Sequence, residues 1–191
     1  LPKDLSEAQV ERLLQAPLID QPLELRDKAM LEVLYATGLR VSELVGLTMS
    51  DISLRQGVVR VIGKGNKERI VYMGSSCRKA IDRYLIERSQ IVLSDNRALF
   101  GSRDKNRISV SAVHRLVKKH LLESGLDATQ FSAHKLRHTA ATLMLANGVD
   151  LKTLQEVLGH ENLNTTQIYT HIENTDKKIA AEANPLSKLK I

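Results

Sequence analysis

At 191 residues, with 42% hydrophobic and 26% charged side chains, the chain can bury a substantial core and reads as one soluble globular domain. No apolar run approaches the ~20 residues that cross a bilayer, and no secretory signal is read at its start. The single cysteine, Cys77, excludes an internal disulfide, argues against a cysteine-built metal site and fits a reducing, cytoplasmic setting. A formal net charge of +6 favours a polyanionic partner. Aromatic content of only 3%, with no tryptophan, weighs against stacking on single-stranded bases and for gripping a duplex by its phosphates.

In chain order, Ser6 and Gln9 form a capping box that opens a helix to about Ala16, stopped by Pro17. Pro22 starts a second helix, with Leu25, Ala29, Met30, Val33 and Leu34 among its apolar positions and Gly38 at its end. The turn delivers Gly38-Leu39-Arg40-Val41-Ser42-Glu43-Leu44, where Ser42 is expected to cap a short helix. Between Gly57 and Met73 the pattern changes. Val58, Val59, Val61 and Ile62 precede Gly63-Lys64-Gly65-Asn66, and Ile70, Val71 and Tyr72 come after, which predicts a β-hairpin or small meander. Lys64 falls at its tip. Taken alone it is a solvated turn lysine; as a functional group it is an ammonium on a finger that can reach a phosphate or a leaving oxygen.

Helices are predicted from about Ser75 to Arg88 and from about Ser109 to Glu123, the second with Val113, Leu116, Val117 and Leu121 inward and Gly125 as its stop. Residues 94–108 between them are polar and turn-rich around the apolar island Ala98-Leu99-Phe100. Ser132 as N-cap and Asn147-Gly148 as stop predict a helix over 133–147, with Leu136, Ala140, Leu143 and Met144 on its apolar face. His134, Arg137 and His138 stand at i, i+3 and i+4, so they are expected to project from the opposite side near the first turn. Two imidazoles, a guanidinium and free backbone N–H groups make a good phosphate seat. Asp150 caps a short helix ending at Leu158-Gly159, with His160 just past it, and Asn164 or Thr165 starts another that carries Tyr169. Residues 174–191 form a lysine-rich tail broken at Pro185, and no internal repeat is evident.

Singly, each of these groups has an ordinary explanation. Arg40 can pair with Glu43, His138 reads as a core histidine bonding a carbonyl, His160 can cap a helix end, and Tyr169 can be a half-buried tyrosine. The ordered set is more specific: Arg40, Lys64, His134-x-x-Arg137, Leu-Gly-His160, then Tyr169 in Thr-Thr-Gln-Ile-Tyr-Thr-His. With Ala-Thr-Gly-Leu-Arg-Val-Ser-Glu-Leu at 36–44 and Gly-Lys-Gly-Asn-Lys-Glu-Arg at 63–69, it resembles the catalytic domain of the tyrosine site-specific recombinases, the Xer branch in particular. The resemblance covers essentially the whole chain and is nearest up to about residue 69, whereas residues 70–77 differ from the segment after the hairpin in that branch.

The resemblance implies a mainly α fold with a small antiparallel β-sheet or hairpin, that of the DNA breaking-rejoining enzymes. It implies a catalytic domain over residues 1–173 and a protomer-docking tail over 174–191. The family's N-terminal core-binding domain of ~100 residues would be absent from this chain. Tyr169 would attack a scissile phosphodiester to give a 3′-phosphotyrosyl bond and a free 5′-hydroxyl. Arg40 and Arg137 would clamp the non-bridging oxygens, His134 and His160 would assist with hydrogen bonds and proton transfer, and Lys64 would protonate the departing 5′-oxygen. No metal, cofactor or ATP enters this scheme.

Elementary chemistry agrees with that division of labour. A phenol of pKa about 10 needs help to attack at neutral pH. Planar guanidiniums match the oxygens of a phosphodiester gaining charge, and an ammonium has a proton to give. The partners implied are double-stranded DNA and further recombinase protomers in a homo- or hetero-tetramer, with Ile179, Leu186, Leu189 and Ile191 as anchors in the tail. Other classes remain open: a type IB topoisomerase using the same logic, a non-catalytic DNA-binding fragment, and a zinc hydrolase built on His134, His138 and His160. The last lacks the glutamate that stands between the histidines of the familiar zinc-protease motif.

Overall fold

The computed structural model describes residues 4–159; the expectations for His160, Tyr169 and the tail lie outside them. Helices α1 (Glu7–Gln15), α2 (Pro22–Thr37) and α3 (Val41–Gly46) lead into strands β1 (Ile52–Ser53), β2 (Val58–Ile62) and β3 (Glu68–Tyr72). After these come α4 (Ser75–Arg88), α5 (Val110–Glu123), α6 (Ala133–Ala146) and α7 (Leu151–Leu158). The caps expected at Ser6, Ser132 and Asp150 form. Ser6 and Gln9 bond each other's backbone N–H, while Ser109, Ser132 and Asp150 each accept the N–H three residues on.

Helix α2 is the central element, packed against both α4 and α6. Ala29, Met30, Leu31, Val33 and Leu34 are all fully buried, so it is a core helix rather than a half-exposed one. Each such leucine is worth roughly 1.5–3 kcal/mol of burial. The three strands form an antiparallel sheet in the order β1-β2-β3, with Val59 opposite both Ile52 and Val71. The short β1 adds a third strand to the expected hairpin. Val59, Val61 and Val71 face the core, and Ile62, Ile70 and Tyr72 are exposed on the other side. The hairpin is closed by the Gly63 N–H on Lys67 O at 2.8 Å, and Gly65 supplies the left-handed turn residue at φ 72°.

The irregular stretch between α4 and α5 is ordered by side chains. Buried Arg88 donates to the carbonyls of Ala98 (2.9 and 3.1 Å), Asn96 (2.9 Å) and Ile91 (3.3 Å). The Tyr84 hydroxyl donates to Leu99 O at 2.7 Å, and its ring stacks on Phe100 with centroids 5.3 Å apart. A smaller cluster of Ala141, Leu145, Leu154 and Leu158 joins α6 to α7, with Met144 half-buried against it.

A polar group is also built into the core. His120 is inaccessible to solvent, with Nε2 2.8 Å from Asp27 Oδ2 and Nδ1 2.9 Å from Glu123 Oε2, while Arg26 forks onto Asp27 Oδ1. Burial favours a neutral ring, but the two carboxylates outweigh it and raise the His120 pKa. Burial likewise opposes ionisation of Asp27, yet His120 and Arg26 bring its pKa below the usual value. No helix among the described residues is long and apolar enough to cross a membrane.

Candidate active site

The site is assembled around the C-terminus of α7. A helix end leaves its last carbonyls without partners and carries partial negative charge. Here three arginines from distant segments supply the missing donors. Arg69 Nε donates to Val157 O at 2.7 Å, Arg137 Nη2 to Leu158 O at 2.9 Å, and Arg40 Nη1 to the same Leu158 O at 3.5 Å.

Arg40 reaches this point from the N-cap of α3. Gly38, at φ 66°, reverses the chain after α2, and an added Cβ there would stand 2.6 Å from Leu158 Cδ2. The cap differs from the expectation for Ser42. Arg40 holds the N-cap position, and its own N–H is accepted by Glu43 Oε1 at 2.9 Å. Glutamate at the third helical position reaches back in this way in capping boxes, which leaves Ser42 exposed on the first turn.

Arg137 also departs from its expected setting. It does not stand on a solvent-facing side with His134 but is 5% exposed, because that flank of α6 meets the α2–α3 turn and the end of α7. Its Nη1 donates to Gly38 O and its Nη2 to Leu158 O. The expected apolar stripe shifts with it: Leu136 and Ala140 are buried together with Ala141 and Leu145, whereas Leu143 and Met144 are half-buried. His138 bonds a carboxylate, with Nδ1 2.6 Å from Asp4 Oδ1.

His134 is exposed on the first turn of α6. Partial burial and the charges of Arg137, His138, Lys135 and Arg40 all depress its pKa, so it is neutral at pH 7. A neutral imidazole beside two guanidiniums can accept a proton or donate a hydrogen bond. Lys64 is exposed at the hairpin tip, as predicted. Arg40 and Arg137 are therefore brought together with His134 near both, while His160 and Tyr169 lie outside the described residues.

Two further residues belong to this site. Glu43 is buried, and Arg69 forks onto it, Nη1 to Oε2 at 2.6 Å and Nη2 to Oε1 at 3.0 Å. Burial pushes the Glu43 carboxyl up, but Arg69, the Arg40 N–H and the two positive charges together hold it below its ordinary range. The signal for Arg69 lies in the register. It pairs with inward-facing Val61, and an arginine on the inner face of a strand requires a buried acceptor.

Of the histidines considered for zinc, His138 is bonded at Nδ1 to Asp4, and His160 lies outside the described residues. Among the described residues the grouping with ligand spacing is Glu24, His120 and Glu123, away from this site. There a raised-pKa imidazole and the Lys119 ammonium, 3.8 Å from Glu24, already balance the carboxylates.

Arginines gathered on a helix C-terminus, a hairpin tied to them and a neutral histidine alongside, on a mainly helical scaffold, define a class. Residues 3–176 match the Phage integrase family, and the chain belongs to that family. Within it, the chain is 54% identical over 175 residues to tyrosine recombinase XerD of Yersinia pestis, covering 90% of this chain and 58% of that protein. It is 50% identical over 182 residues to XerD of Proteus mirabilis, covering 94% and 58%. The chain thus spans under two thirds of the length of either relative.

Solved structures agree. XerA recombinase superposes with a TM-score of 0.83 at 35% identity, over 97% of this chain and 66% of that one. XerH site-specific recombinase, in a post-cleavage complex with palindromic difH substrate, gives 0.80 at 30% identity, over 95% and 53%. The expected mainly α fold with a small antiparallel sheet is the fold found.

Proposed function

We propose that the chain is the catalytic domain of a site-specific DNA recombinase that cuts and rejoins strands through Tyr169. The observation that carries this reading is the meeting of Arg40 and Arg137 on one oxygen, Leu158 O, at 3.5 and 2.9 Å. Two guanidiniums placed to share one carbonyl oxygen are placed to share a phosphodiester's non-bridging oxygens. The XerH relative bound to its DNA substrate supports a duplex as the ligand.

In this mechanism the Tyr169 oxygen attacks phosphorus, and its proton passes to a neutral imidazole, with His134 and His160 as the candidates. Negative charge on the pentavalent phosphate is met by Arg40 and Arg137. The P–O5′ bond breaks as Lys64 protonates the leaving oxygen. A 5′-hydroxyl then reverses the step, so the phosphotyrosyl bond retains the energy needed to rejoin without ATP or metal. Residues 1–173 form the catalytic domain in this scheme, and the 174–191 tail links protomers of a homo- or hetero-tetramer in the cytoplasm.

The test is a suicide duplex, nicked beside the cleavage position, incubated with the wild-type chain and with Tyr169→Phe. Wild type alone gives a denaturation-resistant protein–DNA band. An equal band from Tyr169→Phe would overturn the nucleophile assignment.

A further inference from the structure

We infer that Arg69 is a positioning residue that keeps Glu43 from capturing Arg40, leaving the Arg40 guanidinium free for the phosphate; this rests on the function proposed above. Glu43 is the buried carboxylate nearest the arginine cluster, and its Oε2 faces two claimants. Arg69 Nη1 stands 2.6 Å from it and Arg40 Nη1 3.8 Å from it. Arg69 takes both carboxylate oxygens in the planar, two-bond geometry that guanidinium and carboxylate prefer. Arg40 is left with a loose ion pair and one long bond to Leu158 O, and with 39% of its side chain exposed.

The fork is built in rather than incidental. Arg69 is pinned at its Nε by Val157 O at 2.7 Å. It lies in a slot lined by two glycines: a Cβ on Gly159 would meet Arg69 Nη1 at 2.9 Å, and one on Gly63 would meet it at 3.2 Å and Glu43 Oε2 at 3.1 Å. Without Arg69, Glu43 would be a buried carboxylate with Arg40 as the cation nearest it. An uncompensated buried charge is costly, so Arg40 would close the remaining gap onto it. Arg40 would then lie in a tight ion pair, turned away from an incoming anion. Glu43 meanwhile serves the cap of α3 through the Arg40 N–H, a bond that a glutamine oxygen can also accept.

This makes a prediction of opposite sign to a purely structural role. In the suicide-duplex assay, Arg69→Ala lowers the rate of covalent adduct formation about 10-fold or more, as loss of transition-state charge stabilisation does. Adding Glu43→Gln to it removes the captor and regains at least about 3-fold relative to Arg69→Ala alone. Arg69→Lys, alone and with Glu43→Gln, repeats the comparison with a smaller loss should the alanine variant fold poorly, and thermal unfolding of every variant reports the fold.

A second readout needs no cleavage. The Arg40 side-chain Nε–H resonance, monitored by NMR during titration with inorganic phosphate, responds in wild type, is blunted in the Arg69 single variant, and recovers in the double. A double variant no faster and no more phosphate-responsive than the single, or an Arg69→Ala protein at wild-type rate, overturns the inference. A wild-type chain that responds to phosphate but forms no adduct counts against the recombinase reading alone.

Discussion

Replacing Asp27 by Asn tests the buried polar group that ties α2 to α5. The substitution keeps the shape and removes the charge. Asp27 accepts two bonds from Arg26, at 2.9 and 3.1 Å, and faces His120 Nε2 at 2.8 Å. Hydrogen bonds to a charged partner contribute roughly 1.5–3 kcal/mol each and neutral ones roughly 0.5–1.5. Three bonds losing about 1 kcal/mol apiece give a destabilisation of about 3 kcal/mol. At about 2–4 °C per kcal/mol for a chain of this size, the melting temperature falls by roughly 6–12 °C.

The pH dependence is more diagnostic than the magnitude. The folded pKa of His120 is raised, so its contribution is complete below the ordinary imidazole value near 6.5 and is lost as pH rises through the folded value. The Asp27 pKa is lowered, so its contribution is complete above 3.8 and is lost as pH falls through the folded value. Urea unfolding from about pH 2 to 9 measures both limbs. In Asp27→Asn the alkaline decline above 6.5 flattens, because one of the two carboxylates bonded to the ring is gone and Glu123 alone of that pair remains. An unchanged alkaline slope, or a melting temperature within about a degree of wild type, would refute the reasoning.

The remaining predictions concern the site and the core. Arg137→Lys exchanges a fork that serves Gly38 O and Leu158 O for a single ammonium. Adduct formation on the suicide duplex should fall about 100-fold or more, and a rate within 3-fold of wild type would remove Arg137 from the clamp. Gly38→Ala puts a Cβ on a residue at φ 66° and 2.6 Å from Leu158 Cδ2. Left-handed strain of about 1–2 kcal/mol plus crowding should cost about 2 kcal/mol or more by urea unfolding. Cys77 is buried, with its thiol pKa pushed up to about 12 by burial and by the Glu32 charge. Alkylation by iodoacetamide should therefore track global unfolding rather than thiol exposure in the native fold.

What could be read from the sequence is what local chemistry determines. Serine or aspartate three residues before the N–H it accepts, proline at the start of α2, glycine at the left-handed ends and alternating valines in the hairpin all act within a few residues, so their consequences are visible in order. Polar partners are not. A helical period says that residue 137 shares a flank with 134, yet which neighbour covers that flank depends on where α7 lands. Likewise, His120 and Asp27 stand 93 positions apart, and Arg88 looks like any helix-terminal arginine until the loop it harnesses is seen. Ser42 is the better N-cap by residue type, but the helix starts from Arg40 because Glu43 bonds the Arg40 N–H and is itself fixed by Arg69 on a strand that no local pattern connects to it.

The oxygen of Leu158 has one more implication. Arg40 and Arg137 both donate to it. An anion arriving between the guanidiniums would compete with this backbone dipole for the same donors, and linkage is reciprocal. Anion binding by the two arginines would weaken the cap they place on the end of α7, and a firmer cap would weaken anion binding by the same factor. Anion affinity and the stability of the α7 end would then be two readings of a single equilibrium.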